Sequence, residues 1–477
     1  MTLKELKGVG RMLAPFLLLF SSCFRSVAGR KLLRVYVEGL LSDVQRKNCE
    51  AIALAFGPCP RTLQRFLESI KWDEEKLCDR CQEIVVRDHS APDAIGLIDE
   101  SGIGKSGRST AGVARQYNGN RGKIENCVVG VHLGYSTPGF QTLLDSQLYL
   151  PKDWAEDKTR RKTFFIPKHV TFQTKPQIAI DLIDRALGNG VRVAYWTFDE
   201  LYGRDSKFRD ALHARKQSFV GEIPCDTRVW TTKPKVITNE DHKGVGQPKK
   251  TPRVDANAKP SKVRDLLKHS SKFYLRRWQN YRIKETHKGP EVWKIKHLRV
   301  WRQTSEHLPS IRHTLITARS VRTGEMKFFI ANGVVGENRV TLRGLLRVAF
   351  GRWAIEAEFR ISKEELGLDH FEVRGWRCIH RHYYLVGLSF LLCSRIRQSL
   401  DQNDTGRLTV EQVRRSLNAW LQHRLLPEDI LNRELMKLLY YQRRNALAIK
   451  SHTKTRIRLY AKLGIDVENI KSCTQTI

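Results

Sequence analysis

The segment Gly351–Leu368 has the sequence GRWAIEAEFRISKEELGL, and its spacing of apolar residues predicts a single helix. Within it, Arg352, Glu356 and Lys363 are separated by four and seven residues. At about 100° per residue, these spacings bring the three charged side chains onto one helical face. Glu358 is predicted to point the other way. The helix therefore offers one particular carboxylate, unless Arg352 and Glu356 form only an ordinary surface ion pair.

Two strands upstream are each predicted to end in an aspartate. The apolar run Ala94–Ile98 precedes Asp99, and the run Val191–Phe198 precedes Asp199. In this part of the chain the predicted strands are 94–98, 128–133, 142–149, 191–198 and 218–223, with helices at 176–187 and 207–215. The order is three strands, helix, strand, helix and strand. It predicts an α/β fold with a mixed sheet and helical crossovers.

Asp99, Asp199 and Glu356 form the kind of ligand set that holds two magnesium ions. Two-metal cleavage of a phosphodiester needs oxygen ligands that clamp ions about 3.5 to 4 Å apart. Residues at strand ends are rigid, so such ligands lose little entropy when metal binds. We therefore predict a site for two Mg²⁺ ions, for which Mn²⁺ can substitute. Three neighbouring acids remain alternative ligands: Glu100, Glu200 and Asp205.

The charge of the chain indicates a polyanionic partner. A formal net charge of +34 and a pI near 10.0 far exceed what solubility requires. Nucleic acid is the first expectation, and an anionic membrane surface is the second. The segment 226–303 is especially basic and contains the run KFYLRRWQNYRIKE, so we predict that Arg276 and Arg277 contact DNA. Its aromatic residues either stack on unpaired bases or pack in a small core.

Other short motifs give weaker signals. The sequence Gly102–Ser106 is similar to a phosphate loop, but Asp99 stands where that loop needs a glycine, so no bound nucleotide is expected. Lys105 in this basic, glycine-rich loop is instead predicted to contact DNA. Ten scattered cysteines indicate free thiols in a reducing compartment, with Cys78-x-x-Cys81 as the only close pair. The early apolar run is too short to span a bilayer, and we expect a cytoplasmic protein without a membrane partner.

The order of motifs along the chain adds a family resemblance. Several separate segments are similar to the DDE transposases of bacterial insertion sequences, in the branch with a Tyr-x2-Arg-x3-Glu-x6-Lys signature, and within it to insertion-sequence family seven-hundred-and-one. These segments are IGLIDESG around Asp99, GVARQYNGNRGKIENCVVGVHLGY, DSQLYLPKDW, TFDELYGRD around Asp199, and RWAIEAEFRISKEELGLDHFEVR around Glu356. The resemblance extends over nearly the whole chain.

The resemblance implies an RNase H-like core, a mixed five-stranded sheet with helices, interrupted by a β-rich insertion. In region 1–90 the sequence pattern itself predicts several helices, and the basic helix at Arg61–Leu67 suits either a DNA-binding module of helix-turn-helix type or a structural surface. The resemblance adds a first core part at 91–225, a basic insertion at 226–339, a second core part at 340–400 and a basic helical region at 401–477. It also implies that the protein binds transposon ends and target DNA as a homodimer or higher multimer, in the bacterial cytoplasm and in association with the nucleoid.

Carried over by position, the resemblance assigns roles to the helix at Glu356. Arg352, Glu356 and Lys363 occupy three of the four signature positions, and Ala349 stands where the tyrosine is expected. Arg352 and Lys363 are expected to bind phosphates around the cleaved bond, because neither can be a metal ligand at neutral pH. Trp353 corresponds to an aromatic residue that stacks near the transposon end, with packing in the core as the alternative.

Three other functions fit part of the sequence. A catalytically inactive or domesticated DNA-binding protein would keep the fold without needing the three acids. An RNase H-fold nuclease or Holliday-junction resolvase would cut DNA without joining it, but it does not require the large basic insertion. An RNA-binding protein fits the charge and leaves the arrangement of acids unexplained. The sequence favours a transposase.

Overall fold

The computed structural model describes residues 8–238, 251–286, 288–400, 408–423 and 428–473. The chain forms two compact units. The first unit comprises Met1–Val193 and Trp353–Leu447, and the second comprises Ala194–Arg352 and Ala448–Ile477. Both α-helices and a mixed arrangement of strands are present, so the predicted α/β class is confirmed.

Each of the two units contains both α-helices and β-strands. The α-helices are α1 (Leu13–Leu18), α2 (Val27–Leu41), α3 (Cys49–Phe56), α4 (Pro60–Glu68), α5 (Glu74–His89), α6 (Lys152–Glu156), α7 (Lys158–Thr163), α8 (Lys175–Gly188), α9 (Glu200–Arg204), α10 (Ser206–Ala214), α11 (Val263–His269), α12 (Ser271–Tyr274), α13 (Leu342–Gly351), α14 (Trp353–Glu364), α15 (Trp376–Leu400), α16 (Val410–His423) and α17 (Glu428–Lys462). The strands are β1 (Ile95–Gly104), β2 (Ala114–Asn118), β3 (Lys123–Thr137), β4 (Phe140–Leu148), β5 (Tyr195–Phe198), β6 (Phe219–Glu222), β7 (Arg228–Trp230), β8 (Val236–Ile237), β9 (Arg253–Val254), β10 (Ser261–Lys262), β11 (Gln279–Thr286), β12 (Gly289–Gln303), β13 (Pro309–Ser320), β14 (Met326–Ala331) and β15 (Lys471–Ser472).

The helical start of the first unit agrees with the sequence pattern. Helix α3 stops at Gly57, whose φ of +96° places it in the left-handed region that glycine adopts without strain. Pro60 then begins α4, where its fixed φ suits the first helical position. The predicted basic helix is α4, and its apolar residues Leu63, Phe66 and Leu67 are buried.

Strand β3 is the centre of the sheet in the first unit. It pairs with β1 along one edge and with β2 and β4 along the other, and all of these pairings are antiparallel. Strand β1 is longer than predicted because it continues beyond Asp99 to Gly104. Strand β2 was not predicted, because its sequence ARQYN is mostly polar. In the structure, Asn118 is the one buried residue of this strand.

The sheet of the second unit starts with a parallel pair. Strands β5 and β6 run parallel, and an antiparallel series continues in the order β6, β14, β13, β12 and β7. The Thr323-Gly324 pair in the sequence predicts a turn, which is confirmed between β13 and β14, where Gly324 has a φ of +74°. The predicted strand 191–198 is shorter, since only Tyr195–Phe198 is paired.

The C-terminal helices differ from prediction mainly in length. The sequence Thr409–Gln412 predicts a capping box, which is confirmed at α16, because Thr409 N–H donates to Gln412 Oε1 (3.0 Å) and Gln412 N–H donates to Thr409 Oγ1 (3.1 Å). The sequence pattern predicts that the following helix ends near Ile449, but α17 continues to Lys462. The polar stretch 401–406, which predicts a linker, lies outside the described residues.

A buried arginine links α15 to the N-terminal helices within the first unit. Arg381 is fully buried, and its guanidinium lies 4.4 Å from the ring centroid of Trp72. It also donates two hydrogen bonds to the carboxylate of Glu74 (3.0 and 3.2 Å). Further donors of the same group reach four backbone carbonyl oxygens, those of Phe66 (3.0 Å), Leu67 (3.2 Å), Ile70 (2.9 Å) and Trp72 (3.0 Å). An apolar side chain at this position could not supply these hydrogen-bond donors.

His382, the next residue of α15, is a buried neutral bridge. Its Nε2 donates to the carbonyl oxygen of Gly367 (2.9 Å), so its Nδ1 accepts from the hydroxyl of Tyr36 (2.9 Å). Burial lowers the pKa of His382 from 6.5 to about 4. The folded protein therefore keeps this ring neutral at a pH where an unfolded chain protonates it.

We predict that His382→Gln reduces the acid sensitivity of folding. In the native protein the stabilising effect of a neutral His382 is lost as pH falls from 6.5 towards 4, because only the unfolded chain takes up the proton. Between about pH 7.5 and pH 5 the native protein should lose about 2 kcal/mol more unfolding free energy than the variant. Urea unfolding at both pH values measures this. The control is His169→Gln at an exposed position, and equal pH dependence of all three proteins would contradict the prediction.

Two further findings concern the cysteines and the length of the helices. All ten cysteines are free thiols, as expected, and Cys78 and Cys81 are both buried. Among the described residues, no helix is long and apolar enough to cross a membrane.

Candidate active site

Asp99 lies inside a paired strand. It follows the buried run 94–98 and stands opposite His132 of β3, and the strand continues to Gly104. The prediction that the strand ends at Asp99 was therefore wrong. Its half-buried carboxylate accepts a hydrogen bond from the backbone N–H of Glu100 (2.8 Å). Strand pairing on both sides of Asp99 in the chain holds its backbone rigidly.

Glu100 is a poor substitute for Asp99. Successive side chains of a strand point to opposite faces, so Glu100 and Asp99 face different sides of the sheet. The carboxylate of Glu100 accepts a hydrogen bond from Nζ of Lys175 (3.0 Å), and both side chains are less than a fifth exposed. Glu100 therefore has a structural ion-pair partner.

His132 is the cross-strand neighbour of Asp99 and serves as a packing group. It is fully buried, and its ring centroid lies 5.0 Å from that of Phe359 and 5.5 Å from that of Tyr383. Burial, together with the charge of Lys363, lowers the pKa of His132 to about 3. The ring is therefore neutral, and it lies between the sheet and the helices that carry Phe359 and Tyr383.

The predicted single helix over 351–368 is divided into two. Helix α13 ends at Gly351, Arg352 lies at the junction, and α14 begins at Trp353. A glycine lowers helix stability by about 1 kcal/mol relative to alanine, which makes Gly351 a favourable place for the break. The face shared by Glu356 and Lys363 is a property of α14, whereas Arg352 lies outside that helix.

The end of α14 is also earlier than predicted. The helix stops at Glu364, and Gly367 adopts a φ of +71°. The N–H of Gly367 donates to the carbonyl oxygen of Lys363 (3.2 Å), and the N–H of Leu368 donates to that of Ser362 (2.8 Å). This pair of bonds is a Schellman motif, which requires the left-handed conformation of glycine.

The two faces of α14 separate its glutamates as predicted. Glu356 is exposed, whereas Glu358 is fully buried. A Cβ atom on Gly134 of β3 would lie only 2.7 Å from Oε2 of Glu358, so the helix needs glycine at this position of the sheet. Burial raises the pKa of Glu358 well above its usual range, and neither carboxyl oxygen has a hydrogen-bond partner among the described residues.

Because Glu358 is fully buried, it is unsuitable as a control for substitutions of Glu356. The sequence predicts that its loss leaves metal binding largely intact, as for a residue that faces away from the site. Truncation of a fully buried side chain would also disturb the packing of α14 against β3. Glu364 is a better control, because it is exposed on the same helix and forms a surface ion pair with Arg360 (3.2 Å).

Lys363 connects α14 to the strand that carries Asp99. Its Nζ donates to the carbonyl oxygen of Gly102 in β1 (3.4 Å). The side chain is half-buried, and burial lowers the pKa of this amine. Within the first unit, Asp99, Glu356 and Lys363 therefore lie on a strand and a helix that are in direct contact.

Asp199 belongs to the second unit and has a different setting. It directly follows β5 and caps the N-terminus of α9. Its Oδ1 accepts hydrogen bonds from the N–H groups of Leu201 (3.0 Å) and Tyr202 (3.3 Å). The partial positive charge at the N-terminus of a helix also attracts an acidic side chain at this position. The predicted position at a strand end is confirmed.

The residues near Asp199 have structural partners. Glu200 is exposed and pairs with Arg204 (3.2 Å). Asp205 caps α10 and accepts hydrogen bonds from the N–H groups of Lys207 (2.8 Å) and Phe208 (3.2 Å). The buried ring of Tyr202 packs against Phe208, with centroids 5.6 Å apart. Asp199 has capping contacts of the same kind as Asp205, so its choice as the ligand in this part of the chain stays a prediction.

The chemistry of the three acids suits a hard metal ion. Asp99, Asp199 and Glu356 offer carboxylate oxygens, which Mg²⁺ prefers, and none of these residues is fully buried. Asp99 and Glu356 lie in the first unit and Asp199 in the second. The described part of the chain contains no group of three or more His, Cys, Asp or Glu residues arranged to hold a metal ion. The metal assignment stays a prediction based on donor chemistry.

The predicted DNA-contacting side chains have unequal exposure. Trp353 is 51% exposed, which disfavours a core role, and Arg276 and Arg277 are both exposed. Arg352 is half-buried. Lys105 has an internal role instead, because its Nζ lies 3.7 Å from the ring centroid of Phe371 and donates to the Phe371 carbonyl oxygen (3.0 Å). Burial lowers the pKa of Lys105 to about 8.

Sequence reasoning missed one feature next to the site, the hairpin formed by β2 and the start of β3. Its loop residue Asn120 donates from Nδ2 to the carbonyl oxygen of Gly102 (2.6 Å), which also accepts from Lys363. The available signal was the alternation of Arg115 and Tyr117 before an Asn-Gly turn sequence, which is typical of a hairpin.

Comparison with known proteins places these features in a family. The family model described as "DDE superfamily endonuclease" matches residues 19–290, a range that includes Asp99 and Asp199. A relative from Microchaete diplosiphon, named "Probable transposase for insertion sequence element IS701", is 31% identical over 191 residues. The match covers 39% of this chain and 47% of that protein, less than half of either. Both findings confirm the resemblance to DDE transposases of insertion sequences. The chain belongs to the DDE superfamily of endonucleases.

Proposed function

We propose that this protein is a DNA transposase that cleaves the ends of an insertion sequence and joins them to target DNA. The observation that carries the proposal is the contact between the Asp99 strand and the Glu356 helix, made by Lys363 on the carbonyl oxygen of Gly102. The similarity to the IS701 transposase supports the same reaction class. The sheet and helices around Asp99 and Asp199 would form an RNase H-like core, and segment 226–339 its β-rich insertion.

The three acids would supply the metal ligands. Asp99, Asp199 and Glu356 would hold two Mg²⁺ ions, or Mn²⁺ in their place. When bound, such ions activate the attacking oxygen and stabilise the leaving oxygen of a phosphodiester. The rigid backbone at Asp99 and the capped carboxylate of Asp199 would keep these oxygens in position while DNA binds. Exposure of Glu356 leaves its carboxylate accessible from solvent.

Cationic and aromatic side chains around α14 would position DNA. Lys363 and Arg352 would neutralise phosphate oxygens near the cleaved bond, and Trp353 would stack at the transposon end. The signature tyrosine has no equivalent, since Ala349 is only 3% exposed and carries no hydroxyl. Phosphate binding at α14 would therefore depend on Lys363 and Arg352 without a phenolic donor.

The proposed reaction has two steps at each end. Water attacks the phosphodiester at the end of the element and breaks its P–O3′ bond, which leaves a 3′-hydroxyl on the element and a 5′-phosphate on the flanking DNA. The 3′-hydroxyl then attacks a phosphodiester of the target DNA and displaces the 3′-oxygen of the target strand. The helical region 1–90 would bind the terminal repeats, and Arg276 and Arg277 would contact DNA from the insertion. A homodimer or larger multimer would hold both ends together, on the nucleoid in the bacterial cytoplasm.

The test uses the full chain, Mg²⁺ and a plasmid that carries the element ends. We expect nicked and then joined products from the native protein, and loss of both for Asp99→Asn and Asp199→Asn. Sequencing of the joined products identifies the ends. Products that are cut and never joined would indicate a nuclease or resolvase. Tight binding to the ends without cleavage in Mg²⁺ or Mn²⁺ would indicate an inactive DNA-binding protein, and either result would overturn the proposal.

A further inference from the structure

The hairpin of residues 114–127, formed by β2 and the first part of β3, presents an exposed surface beside the strand that carries Asp99. We propose that this hairpin contacts duplex DNA next to the cleaved phosphodiester. The inference rests on the proposed function for the position of that DNA. The family motif GVARQYNGNRGKIENCVVGVHLGY covers the hairpin, but none of the roles assigned above uses its side chains.

An apolar pair forms the centre of this surface. Tyr117 of β2 and Ile124 of β3 are paired directly opposite each other, so their side chains lie on the same face. Tyr117 is 59% exposed and Ile124 is 61% exposed. Arg115 shares their face, because it is two residues before Tyr117 in the strand, and it is also exposed. Large apolar side chains with this exposure at the end of a hairpin are available to an external partner.

Cations surround the apolar pair. The stretch from Ser106 to Asn126 contains four lysines and arginines and a single acid, Glu125. The side chains of Arg121 and Lys123 are 60% and 61% exposed. Glu125 is only 16% exposed and already pairs with both (3.3 and 3.5 Å). The surface offered to a partner is therefore positive, with apolar side chains at its centre.

Hydrogen bonds fix the hairpin to β1, the strand that carries Asp99. Asn118 is buried, and its Nδ2 donates to Oε1 of Glu125 across the hairpin (2.7 Å). Asn120 donates to the carbonyl oxygen of Gly102, which lies three residues beyond Asp99 in β1. A Cβ atom on Gly102 would lie 2.3 Å from Oδ1 of Asn118, so the close approach requires glycine. A surface held in this way loses little entropy on binding.

Duplex DNA is the partner that matches this surface best. Arginine and lysine neutralise phosphates along the backbone, while apolar side chains contact sugars and base edges in the minor groove. A second copy of the chain is a poorer match, because two apolar side chains cannot supply the roughly 800 Å² per partner that a stable protein interface buries. The shared contact of Asn120 and Lys363 on Gly102 places the hairpin beside the predicted phosphate-binding lysine.

The test measures binding of the full chain to a fluorescent duplex of about 30 base pairs, without divalent metal, between about 50 and 200 mM salt. For Arg121→Ala with Lys123→Ala, we expect the slope of log affinity against log salt to fall by about 2, since each neutralised phosphate contributes about 0.9. For Tyr117→Ser with Ile124→Ser, we expect a fivefold to tenfold loss of affinity, on the order of 1 kcal/mol, with the salt slope retained.

Matched controls remove the same chemistry elsewhere in the first unit. Lys158→Ala with Lys162→Ala removes two exposed cations, and Leu54→Ser removes a side chain that is 75% exposed. The inference is overturned if these controls weaken binding as much as the hairpin variants do. It is also overturned if the hairpin variants change the sedimentation of the DNA-free protein and leave DNA affinity unchanged, which would indicate self-association.

Failure of this inference is distinguishable from failure of the proposed function. Hairpin-dependent binding by a protein that never cuts would support the DNA surface and contradict the transposase chemistry. Cutting and joining by the native protein, together with native affinity in every hairpin variant, would overturn the DNA surface and support the transposase. Circular dichroism of each variant confirms folding, which we expect to be unaffected because all four replaced side chains are exposed.

Discussion

Glu356→Gln should abolish cleavage and joining of transposon ends while leaving the fold intact. Glutamine keeps the size of the side chain and loses the charge that a divalent cation requires of its ligand. The exposed position of Glu356 on α14 predicts little effect on unfolding free energy, less than about 0.5 kcal/mol. Loss of one ligand should lower the rate by at least about 1000-fold, or about 4 kcal/mol in activation free energy. Single-turnover cleavage of labelled end DNA measures this rate.

Glu364→Gln is the control for that experiment. It makes the same chemical change on the same helix, at an exposed residue that pairs with Arg360 at the surface. We expect cleavage within about twofold of the native rate, because a surface ion pair contributes little. Native cleavage by Glu356→Gln would remove this residue from the site, and equal losses in both variants would indicate a general defect of α14.

Arg381→Met should cause the largest loss of stability. Methionine fills much of the space but removes the buried donor to Oε2 of Glu74 and to four backbone carbonyl oxygens. The other oxygen of Glu74 keeps its bond from Arg377, and the Phe66 carbonyl oxygen keeps its bond from Trp72. Breaking a buried charge pair from one side costs about 3 to 5 kcal/mol. We therefore expect urea unfolding of the variant to begin at much lower concentration, with the N-terminal helices losing their attachment to α15.

Arg377→Met separates this effect from loss of charge alone. Arg377 also pairs with Glu74 from α15, but its side chain is 52% exposed. Water can replace an exposed guanidinium, so the expected loss is at most about 1 kcal/mol. Equal destabilisation by the two variants would show that burial of Arg381 contributes nothing beyond its ion pair.

Elements with a strong hydrophobic pattern were predictable from sequence. The apolar runs of β1, β3 and β5 appear where alternation or continuous apolar residues indicate buried strands. The polar strand β2 was missed, because its stability comes from pairing with β3 and not from its own residues. Helix α17 continues beyond its predicted end near Ile449, because no glycine or proline stands there to stop it.

Side-chain environments were predictable only in part. The opposite directions of Glu356 and Glu358 follow from helical geometry, and exposure of one with burial of the other agrees with it. The complete burial of Glu358 against Gly134 depends on a strand more than two hundred positions away, which no local pattern reveals. Lys105 is a similar case, because its contact with Phe371 joins distant parts of the chain.

The sequence by itself determined the family of the protein and singled out three acids as predicted metal ligands. Charge, the spacing around Glu356 and the motifs at Asp99 and Asp199 are local properties, and they are sufficient to indicate a member of the DDE superfamily. Only the tertiary structure decided which of the surrounding side chains are exposed to solvent and which are buried in contacts that stabilise the fold. That division depends on burial and on contacts between distant segments, as for Lys363 on Gly102 and for Arg381 on Glu74.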